Sequence, residues 1–190
     1  MKVAVLCEFS GEVRDAFILQ GHDAISCDLE PTEKSGPHIQ GDCRDYDWSG
    51  YDLMICCPPC TSLCRNSAKW KHTEKQIKDA IELFMFCWNL KNKMVCIENP
   101  VPRKILQLPK YTQIIQPWQY GHDYSKKTCL WLKGLPKLIS TKIVRITYIT
   151  TASGKRYTAG WYKTPRNGKD RSRFFPGIAN AMAEQWGKLK

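Results

Sequence analysis

The sequence predicts an α/β fold, a mostly parallel sheet with an antiparallel hairpin at one edge. Three observations carry this. Short continuous apolar runs recur at residues 3–8, 51–57 and 94–98, as expected of parallel strands buried on both faces. Stretches with helical apolar spacing lie between them. Two later runs, 114–117 and 128–132, are joined by a polar connection too short for a crossover helix and read as an antiparallel pair.

In chain order, Val3 to Glu8 reads as a strand ending at Phe9-Ser10-Gly11, and Val13, Ala16, Phe17 and Leu19 place one apolar stripe on a helix over 12–19. Gly21-His22-Asp23 closes that helix, and a second strand runs from Ala24 to Asp28, which makes a βαβ unit. A third short strand is expected to end near Gly41-Asp42. The run from Tyr51 to Cys57 stops at Pro58-Pro59, and function often sits where such a strand stops. Thr73 and Glu74 start a helix reaching Leu90, with Ile77, Ile81, Phe84, Met85 and Trp88 on its apolar stripe, before Met94 to Glu98 returns as a strand. Residues 147–172 are rich in Gly, Thr, Lys and Arg and read as a basic loop insertion that can include a hairpin. A last helix is expected over 178–186. The 190 residues fit one domain.

Residues 1–99 hold 11 Lys and Arg against 15 Asp and Glu, whereas residues 100–190 hold 18 against 3. A polycationic half is the footprint of a nucleic-acid partner, with a merely solvated basic face as the plainer reading. Arg145, Lys155, Arg156, Arg166, Lys169, Arg171 and Arg173 alternate with Tyr148, Tyr157, Trp161 and Tyr162, a mixture suited to tracking phosphates and stacking bases. No apolar run approaches the ~20 residues of a membrane span, and no signal-peptide core follows Met1, so a cytoplasmic protein is expected. Of the ten cysteines, Cys7, Cys27, Cys96 and Cys129 sit in apolar runs and read as reduced core thiols.

The turn at Ser10-Gly11, with a helix N-terminus behind it, suits a nucleotide-like cofactor. Asp28 is placed to accept from ribose hydroxyls and Asp42 to reach an adenine amino group. The central pair is Cys60, after the strand ending at Cys57, and Glu98, after the next. A cysteine thiolate can add to C6 of a pyrimidine if an acid near N3 takes the charge, and burial would keep the Glu98 carboxyl protonated for that role. Cys57, Cys60 and Cys64 also have spacing near that of zinc ligands, but Cys56 and Cys57 would face opposite ways and His72 is the nearest histidine, so no metal is expected.

Phe9-Ser10-Gly11, Pro59-Cys60, Glu98-Asn99, Tyr120-Gly121 with a basic edge strand, and Lys133-Gly134 occur in the order of the motifs of the DNA cytosine-C5 methyltransferases, and the chain resembles the short phage and prophage members of that family. Phe175 to Ala183 is similar to the closing motif. The resemblance implies a class I S-adenosylmethionine-dependent methyltransferase (Rossmann-like) fold, with S-adenosyl-L-methionine over Phe9, Ser10, Gly11, Asp28, Asp42 and Asn180. It implies a flipped cytosine between Cys60 and Glu98, and a nucleic-acid partner, DNA first, over Thr61, Asn99, Lys126, Lys127, Arg145, Lys155, Arg156, Arg171 and Arg173. In the implied reaction Cys60 adds to C6, C5 takes a methyl group, and loss of the C5 proton releases the thiolate. The chain departs from the family in having Thr61 after the cysteine, Pro100 after Glu-Asn, and Lys126 and Thr128 where two arginines are usual. Two alternatives stay open: a nucleic-acid-binding relative with weak or no turnover, and an enzyme acting on RNA or a free nucleotide.

Overall fold

The computed structural model describes residues 1–165 and 167–189; Arg166, counted above in the basic stretch, lies outside the described residues. One sheet has the strand order β3-β2-β1-β4-β5-β7-β6. Its strands are β1 (Lys2–Leu6), β2 (Asp23–Asp28), β3 (His38–Gln40), β4 (Leu53–Cys56), β5 (Met94–Pro100), β6 (Gln113–Ile115) and β7 (Thr128–Lys133). The first five run parallel, and β7 pairs antiparallel with both β5 and β6. The order reverses between β1 and β4, the switch point where open α/β sheets leave a crevice beyond the strand tips.

Val3 to Leu6 and Leu53 to Cys56 are buried throughout, because both faces of the sheet are covered. On one face α1 (Glu12–Leu19) and α5 (Pro176–Trp186) close over Val3, Val5, Leu53, Ile55 and Cys96. On the other, α2 (Glu74–Asn89) closes over Ala4, Leu6, Met54, Cys56, Val95 and Ile97. Thr73 and Gln76 form a reciprocal capping box at the start of α2, which fixes where that helix begins. Trp131 is 1% exposed, meets the edges of Phe84 and Tyr111 at 5.0 and 5.9 Å, and donates its indole N–H to the Pro109 carbonyl at 2.7 Å.

The third strand ends at Gln40, beside Gly41-Asp42 as expected. Three readings of the sequence shift. Glu98, Asn99 and Pro100 lie inside β5 rather than after it, paired with Leu130, Cys129 and Thr128. The basic insertion contains the hairpin the sequence allowed for, β8 (Tyr148–Thr150) with β9 (Arg156–Thr158), but also two five-residue helices it did not show, α3 (Ala159–Lys163) and α4 (Gly168–Ser172). Leu19, placed on the apolar stripe of α1, is 82% exposed, whereas Arg14 on the same helix is fully buried. The Arg14 guanidinium donates to Asp15, Ser26 and Thr32 side chains and to the Lys34 and Ser35 carbonyls, so it holds the segment between β2 and β3 in place.

All ten cysteines are free thiols. Among the described residues no helix is long and apolar enough to cross a membrane.

Candidate active site at the strand tips

β4 and β5 lie side by side in register, Cys56 opposite Ile97, so the residues that follow emerge at one edge of the sheet. Asn99 is 2% exposed and its amide donates to the Pro58 carbonyl at 2.6 Å, which ties β5 to the Pro58-Pro59-Cys60 turn. Asn99, expected at a nucleic-acid contact, therefore faces the interior. Further ties follow: the Arg65 amide donates to the Val101 carbonyl at 2.8 Å, the Arg103 amide to the Leu63 carbonyl at 2.9 Å, and the Arg103 guanidinium to the Ser62 carbonyl at 2.9 Å. The segment after Cys60 is thus laced to the segment after Glu98.

Cys60 and Glu98 are both partly buried. Burial raises the Glu98 carboxyl above its usual range, against the opposing pull of the Lys126 ammonium and a hydrogen bond from Thr128. The Cys60 thiol is also held up, by its hydrogen bond to Cys64, by burial and by the charge of Cys64, with Lys126 opposing. Lys126 is thus a positive charge acting on both groups. Its ammonium also donates to the Arg171 carbonyl at 3.4 Å and lies 5.9 Å over the Phe175 ring, so the chain leading into α5 reaches this edge. Thr61 and Lys127 are exposed beside it. Among the described residues no group of three His, Cys, Asp or Glu is arranged to hold a metal ion.

On the other side of β1 lies the turn read as a cofactor site. Gly11 has φ 75°, and a Cβ there would lie 2.6 Å from the Arg14 guanidinium, so this position requires glycine. Asp28, Asp42 and Pro59 line one cavity of about 90 Å³ together with Cys7, Gly41 and Leu83; Phe9, Ser10, Gly11 and Asn180 are outside its lining, and Asn180 is on the exposed face of α5. Asp28 accepts from the Glu30 amide at 2.9 Å, and burial raises its carboxyl. Asp42 is already bridged by Arg44, whose hydrogen bonds pull its carboxyl down.

Sequence reasoning passed over Glu8. Cys7 has φ 57°, which breaks the strand alternation: Cys7 packs with Leu6 toward α2, its sulfur 3.9 Å from that of Cys43. Glu8 is 4% exposed and accepts from the Ser10 hydroxyl through one carboxyl oxygen, while the other has no partner. Burial raises its carboxyl. The only signal in the sequence was an acid ending an apolar run.

The basic residues divide into two sets. Arg145, Lys155 and Arg156 are exposed, with Arg156 4.6 Å over the Tyr148 ring and Tyr157 stacked on Trp161 at 4.5 Å. Arg171 and Arg173 are engaged within the protein. Arg171 lies 4.3 Å over Trp161, whereas Arg173 binds Asp170 and grips Glu33 at 2.6 and 2.9 Å. Lys169 lies 5.1 Å over the Phe9 ring, so this segment leans across the Phe9 turn.

No protein-family model and no curated protein matches the chain. Among solved structures, a protein described as a candidate DNA modification methyltransferase encoded within an E. coli prophage aligns over 77% of this chain and 53% of its own, at 13% identity and a TM-score of 0.52. The S. pombe Dnmt2 methyltransferase aligns over 72% of this chain and 50% of its own, at 16% identity and a TM-score of 0.42. The chain spans about half the length of these structures. Its sheet and helices have the class I methyltransferase arrangement.

Proposed function

We propose that the protein transfers a methyl group from S-adenosyl-L-methionine to C5 of cytosine in nucleic acid, with Cys60 as nucleophile and Glu98 as acid. The observation that supports it most is the parallel register of β4 and β5, which brings the turn carrying Cys60 and the strand carrying Glu98 to one edge of a methyltransferase-like sheet, with Lys126 acting electrostatically on both. In this reading the thiolate of Cys60 forms a bond to C6 as the C5–C6 double bond opens, the displaced electrons move through C4 to N3, which takes the proton held on Glu98, and C5 becomes an electron-rich enamine carbon. Lys126 supplies positive charge where related proteins use an arginine, as a point charge rather than a planar fork.

The cofactor side fits a nucleoside carrying a cationic amino acid: Asp28 offers a carboxylate in a small cavity, and the unpartnered oxygen of Glu8 beside the Ser10-Gly11 turn suits an ammonium group. S-adenosyl-L-methionine, when bound, supplies an electrophilic methyl group. The exposed basic hairpin and Thr61, Lys127 and Arg145 form the nucleic-acid surface, DNA first; Arg171 and Arg173 brace the segment behind it. The whole is one domain, working in the cytoplasm.

Incubation with labelled cofactor and, separately, duplex DNA, single-stranded DNA, RNA and dCMP should label one of them, and Cys60→Ala should abolish the label. Equal labelling by wild type and variant would overturn the assignment of Cys60. Cofactor binding with no labelled acceptor would favour the binding-module alternative.

A further inference from the structure

Cys7, Cys27, Cys43, Cys56 and Cys87 pack together into the core on the α2 face of the sheet. Three of them, Cys7, Cys27 and Cys43, also line the cavity of about 90 Å³ shared by Asp28 and Asp42. Buried structural thiols are inert as a rule, because no reagent reaches them. A cavity beside the sulfur removes that protection.

Two of these three sulfurs touch. Cys7 Sγ and Cys43 Sγ lie 3.9 Å apart, whereas the Cys27 thiol is turned to the Gly41 carbonyl at 3.5 Å. The backbone of Cys7 brings its sulfur there: φ 57° is a left-handed conformation that a residue with a side chain rarely takes. It is held by the 2.7 Å hydrogen bond from the Cys7 amide to the Cys27 carbonyl. Strain at the tip of β1 thus aims one thiol at another. Cys43 is mounted differently, at the start of a single 3-10 turn, Cys43–Asp45, that Asp42 caps by accepting from the Arg44 amide at 2.9 Å. The Cys43 carbonyl accepts from the Trp48 indole N–H at 2.7 Å. Cys43 and Asp42 therefore share one small turn, while Cys7 belongs to the sheet.

We propose that Cys7 and Cys43 are a reversible redox pair whose oxidation to a disulfide weakens cofactor binding at Asp42, which rests on reading the cavity as the site of S-adenosyl-L-methionine. The oxidant is a small peroxide, a molecule of a size the cavity admits. The contact with Cys7 favours the charged form of the Cys43 thiol. The Cys43 thiolate attacks one peroxide oxygen, the O–O bond breaks and hydroxide leaves, giving a sulfenic acid. The Cys7 sulfur then attacks the Cys43 sulfur, the S–O bond breaks, and the departing hydroxide takes the Cys7 proton as water. Each sulfur loses one electron, and the peroxide gains both. A dithiol reverses the change by exchange. Closing the sulfurs from 3.9 Å to a bond of about 2.05 Å draws them together by roughly 2 Å. A single turn yields to that pull before a seven-stranded sheet does, so Asp42 moves with Cys43.

The test treats the full chain, first reduced, with hydrogen peroxide, blocks it with iodoacetamide and digests it with trypsin. Residues 3–14 and 35–44 are tryptic peptides with one cysteine each, Cys7 and Cys43, so mass spectrometry should find these two linked, and dithiothreitol should part them. Calorimetric titration with S-adenosyl-L-methionine should show the affinity falling about ten- to a hundredfold on oxidation, the worth of a hydrogen bond to a charged acceptor, and returning with dithiothreitol. In Cys7→Ser and in Cys43→Ser, the peroxide-treated protein should bind as the same variant does untreated. No linked peptide, or linkage to the Cys27 peptide 15–34 instead, would overturn the proposal. So would linkage with unchanged affinity, or an equal fall in both variants. Reduced wild type that binds no S-adenosyl-L-methionine would sink the cofactor reading and the switch with it, a result distinct from all the others.

Discussion

Replacing Asn99 should harm activity out of proportion to stability. The side chain is 2% exposed and gives one 2.6 Å hydrogen bond to the Pro58 carbonyl, two residues before Cys60, while its own Oδ1 has no partner. Asn99→Ala strands the Pro58 carbonyl, at a cost of about 1–3 kcal/mol, but also removes the unpartnered Oδ1, which offsets part of that loss. The remainder, about 1–2 kcal/mol, corresponds to a fall in melting temperature of roughly 2–8 °C for a chain of this size. The catalytic consequence is larger, since a displacement of about 1 Å in a reacting group costs on the order of 100-fold. Asn99→Asp sharpens the test. A protonated carboxyl can donate to Pro58, whereas an ionised one sets two acceptors together, so its folded pKa lies above the unfolded value of about 3.9. That variant should hold its stability below this value and lose it as pH rises through the folded pKa. Circular-dichroism melts across pH, with single-turnover methyl transfer on the same samples, give both quantities. Activity that falls only in step with the folded fraction would refute the reasoning.

Arg14→Met should cost about 3–5 kcal/mol in urea unfolding, because six oxygen-bearing partners lose a buried cation, and residues 32–37 should become the first site of proteolysis. His122 accepts the Gly177 amide at 2.9 Å and burial lowers its pKa; the folded state therefore requires neutral imidazole, and stability should be full above about pH 6.5 and decline as pH falls toward the folded pKa. Urea midpoints of wild type should show that decline and those of His122→Ala should lack it. Removing Arg145, Lys155 and Arg156 together should reduce the salt slope of nucleic-acid binding, measured by fluorescence anisotropy, by about 0.7–0.9 for each phosphate no longer neutralised. Arg173→Ala should leave the slope unchanged, because that charge is already met by Glu33 and Asp170.

The elements legible in the sequence were those whose apolar pattern is set by burial on two faces: β1, β4 and β5 read as strands because every residue of their cores is buried. That the segments carrying Cys60 and Glu98 come to one sheet edge was legible for the same reason, since adjacent parallel strands bring their ends together. What escaped was polar and buried. Arg14 looks like a solvated helix residue, and only the oxygens converging from residues distant in sequence show otherwise. Glu8 escaped because positive φ at Cys7 turns it to the other face, a backbone choice that no pattern of side chains announces. The helices α3 and α4 span five residues each, too few for a 3.6-residue period to register.

Glu33 and Arg173 grip each other across 140 positions of the chain, and Lys169 covers the Phe9 ring from the same late segment. Such distant pairings form late, because the entropy of closing so long a loop must be met first. The two contacts therefore fasten the basic insertion to the turn after β1 only once the intervening sheet is in place, which makes that insertion the part of the fold most exposed to local opening.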